Sequence, residues 1–359
     1  MVSVRRKRLF RVVALLGASA LCWIVAEVVL LLTGVNNDYR HPATSELIPR
    51  SGGPYELAAC GHVPFATIRI RYPTNPRGYF NANNAIDHEM NSVGWRDGEH
   101  RKTRPEKTYR ILGIGDSYLF GQGVKAKDRC LTHLGNLLQA EFPSRTVETI
   151  NSGQPGYNTV MEARVLKECG LSYHPSLVIL HFVPNDVEPD IYTKKAKVEF
   201  FTEYITGSMA TDWMSQHSEI WALLNRTIGG RIRGQAYIRE SIGSFQSAPE
   251  KWNACQGGLD SIVQSCREKE IPLLIVAFPF FYQLNEDYPF QPIHDRLREY
   301  CSNNDVPFLD LREHYRGFNG PELWVHPTDQ HPNEKAHDIA AGVIAQFIQQ
   351  DAKKFGLQE

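Results

Sequence analysis

From Tyr109 towards the C-terminus, short apolar runs alternate with stretches of helical periodicity. The runs are Tyr109 to Ile114, Val147 to Ile150, Leu177 to Phe182, Leu273 to Phe278 and Phe308 to Leu311. Each is too short for a helix and is bounded by turn-forming or polar residues, which predicts a buried strand. Between them, Leu131 to Phe142, Met161 to Leu171, Trp252 to Lys269, Ile293 to Asn303 and Lys335 to Lys353 repeat apolar positions at helical spacing. Strands alternating with helices imply crossover connections, so the predicted domain is α/β, a parallel sheet covered on both faces in three layers. Ligand sites in such sheets lie beyond the carboxyl ends of the strands.

Two regions break this alternation. At the N-terminus Arg5, Arg6, Lys7 and Arg8 precede an apolar run that carries no charge from Val12 to Ala26, is interrupted by Glu27 and resumes from Val28 to Leu32. Leu9 to Leu32 gives about 24 residues against the ~20 needed to cross a bilayer, and a cleaved signal peptide would have an apolar region of only ~7–15. The expectation is an uncleaved, single-pass transmembrane helix, with the basic cluster on the cytoplasmic side and the rest of the chain extracytoplasmic. The second break is an insertion, residues 187–250, with Phe200, Phe201, Tyr204, Trp213 and Trp221, a length usual for a lid, flap or helical appendage. Trp213 and Trp221 are read as packed core or lid residues rather than sugar platforms and carry no site role. The expected organisation is a basic tail at 1–8, an anchor at 9–34, a loop and β extension at 35–106, and the α/β domain at 107–355 with its insertion. Within the extension only Ala66 to Tyr72 alternates as a strand does.

Composition adds little to this picture except by exclusion. Of 359 residues, 39 are Lys or Arg and 40 Asp or Glu, a net charge of −1. No global basic field exists to hold a phosphate backbone, so nucleic acid is not an expected partner. The seven cysteines form no C-x-x-C pair, and an oxidising compartment would permit disulfides among the six beyond the apolar run without spacing revealing their connectivity.

Candidate chemistry falls at the ends of the predicted strands. After the first strand comes Gly115-Asp116-Ser117-Tyr118, a serine presented at a strand-to-helix turn, where backbone N–H groups favour developing negative charge. Ser and Asp also cap helices, so Ser117 alone decides nothing. After the second comes Asn151-Ser152-Gly153-Gln154-Pro155-Gly156, a turn whose glycines let the backbone approach a ligand. After the third, Val183-Pro184-Asn185-Asp186 brings an amide donor, and Asp329-Gln330-His331-Pro332-Asn333 puts a base and a carboxylate before the last helix.

Together these four segments resemble the blocks of the SGNH, or GDSL, hydrolase superfamily, over about residues 109–350. The resemblance implies a flavodoxin-like α/β/α fold and esterase, lipase, carbohydrate-deacetylase or O-acetyltransferase activity. It implies Ser117 as nucleophile, His331 as base, and oxyanion donors at Ser117, Gly156 and Asn185. Gly156 is preferred to Gly153 because it lies five positions after Asn151, as in the family's block. Many relatives place the acid three positions before the histidine, whereas here Asp329 is two before it. Asp329 is retained, with Asp310 at the end of the fifth strand as its substitute. The expected reaction is hydrolysis of an acetyl or short acyl ester through an acyl-enzyme, without a cofactor, on a small-molecule or carbohydrate ester. Alternatives are an O-acetyltransferase of cell-surface polysaccharide, a non-catalytic scaffold, and a metal-dependent hydrolase using His326, Asp329, His331 and His337.

Overall fold

The computed structural model describes residues 4–39, 43–50, 57–188, 209–285 and 287–358. Phe200, Phe201 and Tyr204 of the insertion lie outside them. Two compact units emerge, one of residues 1–42 and 194–236, the other of residues 43–193 and 237–359.

In the first unit, α1 spans Val4–Thr33. Its segment Arg6–Thr33 is long and apolar enough to cross a membrane, and none of the apolar window is buried within the protein.

The second unit begins with a small antiparallel sheet of β1 (Thr44–Ile48), β2 (Thr67–Arg71) and β3 (Ala85–Glu89). The α/β layer follows. It runs β4 (Thr108–Gly115), α2 (Ser117–Phe120), α3 (Cys130–Glu141), β5 (Thr146–Asn151), α4 (Thr159–Glu168) and β6 (Leu177–Phe182). Three helices of the inserted region come next in the chain: α5 (Met209–His217), α6 (Glu219–Leu224) and, after a π turn at Asn225–Gly229, α7 (Gly230–Ser247). α5, α6 and the start of α7, up to Ala236, fall in the first unit. The α/β layer resumes with α8 (Pro249–Glu268), β7 (Leu273–Ala277), α9 (Gln291–Asn303) and β8 (Phe308–Asp310). The short α10 (Gly320–Leu323), the hairpin β9 (Trp324–His326) and β10 (Asp329–Pro332), and α11 (Glu334–Gln350) close it.

Five strands pair in the order β5-β4-β6-β7-β8, all parallel. This is the doubly wound order in which the chain reverses direction between the first strand and the third, here β4 and β6, and opens a crevice at their carboxyl ends. Every residue of β6 and β7 is buried, as continuous apolar runs require when helices cover both faces. The helix pair α3 and α11 packs together, as does α4 with α8. Gly258 makes the second approach possible, since a Cβ there would stand 2.9 Å from the Thr159 carbonyl. The five expected strands and five expected helices all form, with ends shifted by a few residues; the helix expected to reach Leu171 stops at Glu168 and continues as a 3-10 turn over Gly170–Tyr173.

Among the described residues, Cys60 and Cys169 form a disulfide across 109 positions, with Cα atoms 6.4 Å apart. It ties the segment before β2 to the end of α4. We expect the Cys60→Ser/Cys169→Ser double variant to lose about 2–5 kcal/mol in urea unfolding without added reductant. Equal stability of variant and parent would contradict the bridge.

Candidate active site

β4 delivers Ser117 to the crevice because its apolar run ends at Gly115 and Asp116 stops the strand by capping α2. The Asp116 carboxylate accepts the Tyr118 N–H at 2.8 Å. Ser117 then occupies the first helical position, where a backbone N–H has no intrahelical acceptor. The chain reverses at Gly121 and Gly123, both with positive φ. A side chain at Gly123 would come within 2.4 Å of Val325 and 2.9 Å of the Tyr72 hydroxyl, so only glycine fits this turn.

The β9–β10 hairpin brings the imidazole to the serine. His331 Nε2 lies 2.9 Å from Ser117 Oγ, and His331 Nδ1 lies 2.5 Å from Asp329 Oδ1. An ionised carboxylate can only accept, so Nδ1 carries the proton and Nε2 is left to accept from the hydroxyl. Ser117 Oγ is also 3.3 Å from Asp116 Oδ2, but a hydroxyl has one proton and the imidazole is the nearer acceptor. The two-residue spacing works because the same Asp329 oxygen also accepts the His331 backbone N–H at 3.2 Å, closing a tight turn around the carboxylate.

The electrostatics agree with this arrangement. Burial alone would raise the Asp329 carboxyl, but the charge and hydrogen bond of His331 and the hydroxyl of Tyr72 hold it far below the usual carboxylate range. Burial alone would lower the His331 imidazole, and Asp329, with a smaller contribution from Asp116, holds it above its ordinary value. Asp116 itself is pushed up by burial, against the hydrogen bonds it accepts from Tyr118 and Asn185 and the charge of His331.

The other candidate donors stand on the neighbouring strand ends. Asn185 follows β6, and its Nδ2 donates to Asp116 Oδ2 at 3.3 Å, beside the serine. Gly153 and Gly156 follow β5. The Gly153 N–H is taken by Asn151 Oδ1 at 3.0 Å, and a Cβ there would strike the Phe120 nitrogen at 2.5 Å. Gly156 has a left-handed backbone, φ 75°, and among the described residues its N–H donates to no backbone carbonyl. Asp310, weighed as a substitute acid, is engaged elsewhere, with His294 at 3.0 Å and Arg298 at 2.8 Å.

The metal alternative required His326, Asp329, His331 and His337 to converge, and they do not. His326 pairs with Thr328 and Thr74, and His337 accepts from the Cys130 N–H. No group of three or more His, Cys, Asp or Glu among the described residues is placed to hold a metal ion.

The extension contributes more than its sequence suggested. The Tyr72 hydroxyl, just past β2, donates to Asp329 Oδ2 at 2.6 Å, and its ring stacks on Phe80 at 4.4 Å. Tyr72 is 2% exposed and sits with Ile70, Phe80, Ile86, Val124 and Val325 in a second small core. Arg96 is also buried; its guanidinium donates to the carbonyls of Phe120, Gly121 and Val124 in the turn after the serine. Asp97 receives Arg129 at 3.0 Å and the Asn151 N–H at 2.8 Å. The inward position of Tyr72 was readable from the alternation of Ala66, Ile68, Ile70 and Tyr72, but no signal tied its hydroxyl to a residue 257 positions away.

Known proteins resemble this chain in sequence family and fold. The GDSL-like lipase/acylhydrolase family matches residues 114–339, more than half of the chain. No curated protein matches. Similar solved structures include a putative lipolytic protein of the G-D-S-L family from Desulfitobacterium hafniense, at 12% identity and TM-score 0.41, covering 66% of this chain and 98% of that one. Another is a catalytic mutant of an acetylxylan esterase from Geobacillus stearothermophilus, at 16% and 0.42, covering 70% and 95%. A third is a psychrotrophic esterase from Pseudoalteromonas, at 13% and 0.41, covering 68% and 98%. With the doubly wound sheet and the serine at the end of its first strand, the chain belongs to the GDSL-like lipase/acylhydrolase family and is a serine esterase.

Proposed function

We propose that the chain hydrolyses acetyl or short acyl esters through a covalent acyl-enzyme on Ser117, with His331 as general base and Asp329 as its orienting acid. The observation that carries this reading is the unbroken chain of contacts from Asp329 Oδ1 through the imidazole to Ser117 Oγ. Ser117 attacks the ester carbonyl as His331 takes its proton. The resulting imidazolium is stabilised by Asp329 and returns the proton to the departing alcohol. Water, deprotonated by the same imidazole, then releases the acid. The oxyanion is met by the backbone N–H groups of Ser117 and Gly156 and by the amide of Asn185, each donor worth ~2.7–4 kcal/mol in the transition state. A short acyl group suits a serine that is only 8% exposed, next to Tyr118, whose ring lies edge-on to His331 and packs against Phe278 and Phe281. We place the enzyme outside the cytoplasm, held by α1. The basic cluster before the apolar helix and a disulfide in the second unit both support that side.

Hydrolysis of p-nitrophenyl acetate by the full chain tests the reading. Ser117→Ala is expected to abolish turnover above background while leaving the unfolding midpoint near the parent's; retained turnover would refute it. Because the free base must be neutral, kcat/KM is expected to rise with pH through the His331 pKa, which lies above the ordinary 6.5. Asp329→Asn should lower kcat steeply and move that midpoint down. Asn185→Ala should lower kcat by about 10²–10³ with little change in folding. Tyr72→Phe leaves a buried carboxylate oxygen without its donor and should cost about 1.5–3 kcal/mol of stability. An unfolding free energy equal to the parent's would show that water replaces the hydroxyl.

A further inference from the structure

The charge that interrupts the apolar helix is not idle. Glu27 accepts the Ser218 hydroxyl on one carboxylate oxygen at 2.5 Å and the Glu219 backbone N–H on the other at 2.6 Å. Both donors belong to the start of α6, where Ser218 also caps the helix by accepting from the Trp221 N–H. A few residues on, Asn36 donates to the Glu219 carboxylate at 2.9 Å and to its backbone carbonyl at 2.8 Å. Arg226 donates to the Val35 carbonyl at 2.7 Å. α6 is thus fastened along the last turns of α1, and Ala26, Glu27 and Leu30 are the partly covered positions of an otherwise exposed helix.

Depth follows from helix geometry. About 20 residues counted from Val12 cover the ~30 Å of hydrocarbon and end near Leu31, which puts Glu27 roughly 6 Å beneath the outer boundary. A lone carboxylate there is costly, and partners from α6 offset that cost. Whatever carries those partners must itself reach membrane depth. The inserted helices carry the surface such a position needs. Leu224, Ile228 and Ile232 follow one another at four-residue intervals along the continuous helix through the π turn, and all are exposed, Ile232 by 61%. Trp213 and Met214 on α5 are exposed as well, Trp213 by 61%. In water five large apolar side chains so arranged are unfavourable, and in the acyl boundary they are matched.

We infer that α5, α6 and the first turn of α7 form a second membrane-contacting element, seated in the outer leaflet against α1 with Trp213, Met214, Leu224, Ile228 and Ile232 towards the lipid. The inference rests on α1 being a retained membrane span. Glu27 favours retention, since cleavage of α1 would strip Ser218 and Glu219 of their partner.

The test uses the full chain reconstituted in phosphatidylcholine vesicles that contain a lipid with a photoactivatable diazirine in its acyl chain, followed by peptide mapping of the adducts. Adducts are expected both in residues 9–32 and in residues 213–232. Labelling of 213–232 should fall severalfold in a Trp213→Glu/Ile232→Glu variant and in Glu27→Leu, while 9–32 stays labelled. Adducts confined to 9–32 would overturn the inference and leave the anchor standing. Adducts in neither segment would overturn the anchor and the inference together. Undiminished labelling of 213–232 in Glu27→Leu would overturn the part assigned to Glu27.

Discussion

The site depends on a constraint at one imidazole. His331 is held at both ring nitrogens, and a carboxylate on Nδ1 leaves only one tautomer that also serves the serine hydroxyl. Everything around it secures this. Asp329 must stay ionised while buried, and it does so because three donors converge on it: the His331 ring, the His331 backbone N–H and the Tyr72 hydroxyl. Each partner removed would raise the Asp329 carboxyl and weaken its hold on the ring.

That need explains why the segment before the α/β domain is folded onto the site rather than left as a spacer. Tyr72 supplies the donor that the hairpin cannot make for itself, and the small core around it joins β2 to Val124, near the serine turn, and to Val325 in β9. Arg96 donates to the carbonyls of Phe120, Gly121 and Val124 at the end of α2 and in the turn that follows it, where buried acceptors need partners. Asp97 links Arg129 to the end of β5, where the glycine turn begins. The proposed nucleophile, acid and oxyanion turn are therefore braced from one side by residues that take no direct part in the proposed reaction.

The parallel sheet was legible because strands buried on both faces must be apolar throughout, and β6 and β7 are. Three of the four candidate segments stood out for a related reason, since a doubly wound sheet collects whatever follows its strands at one edge, whereas the fourth, Asp329 to Asn333, is carried there by the β9–β10 hairpin. β1 and β3 were not legible. β1 is largely exposed, and β3 turns His88 inward, where Nε2 accepts the Gly123 N–H at 3.1 Å, so neither shows the apolar alternation that marked β2. The spacing of Asp329 left two candidate acids until the geometry engaged Asp310 with His294 and Arg298. Tyr72 and Arg96 act through partners far along the chain, and nothing local announces such pairs.

The central claim is that the imidazole activates this particular hydroxyl, and covalent capture addresses it most directly. A fluorophosphonate applied to the folded chain, followed by peptide mass mapping, should modify Ser117 and no other serine. The adduct should vanish in a His331→Ala variant that still unfolds cooperatively. A folded parent that takes up no label, or takes it at another residue, would contradict the account.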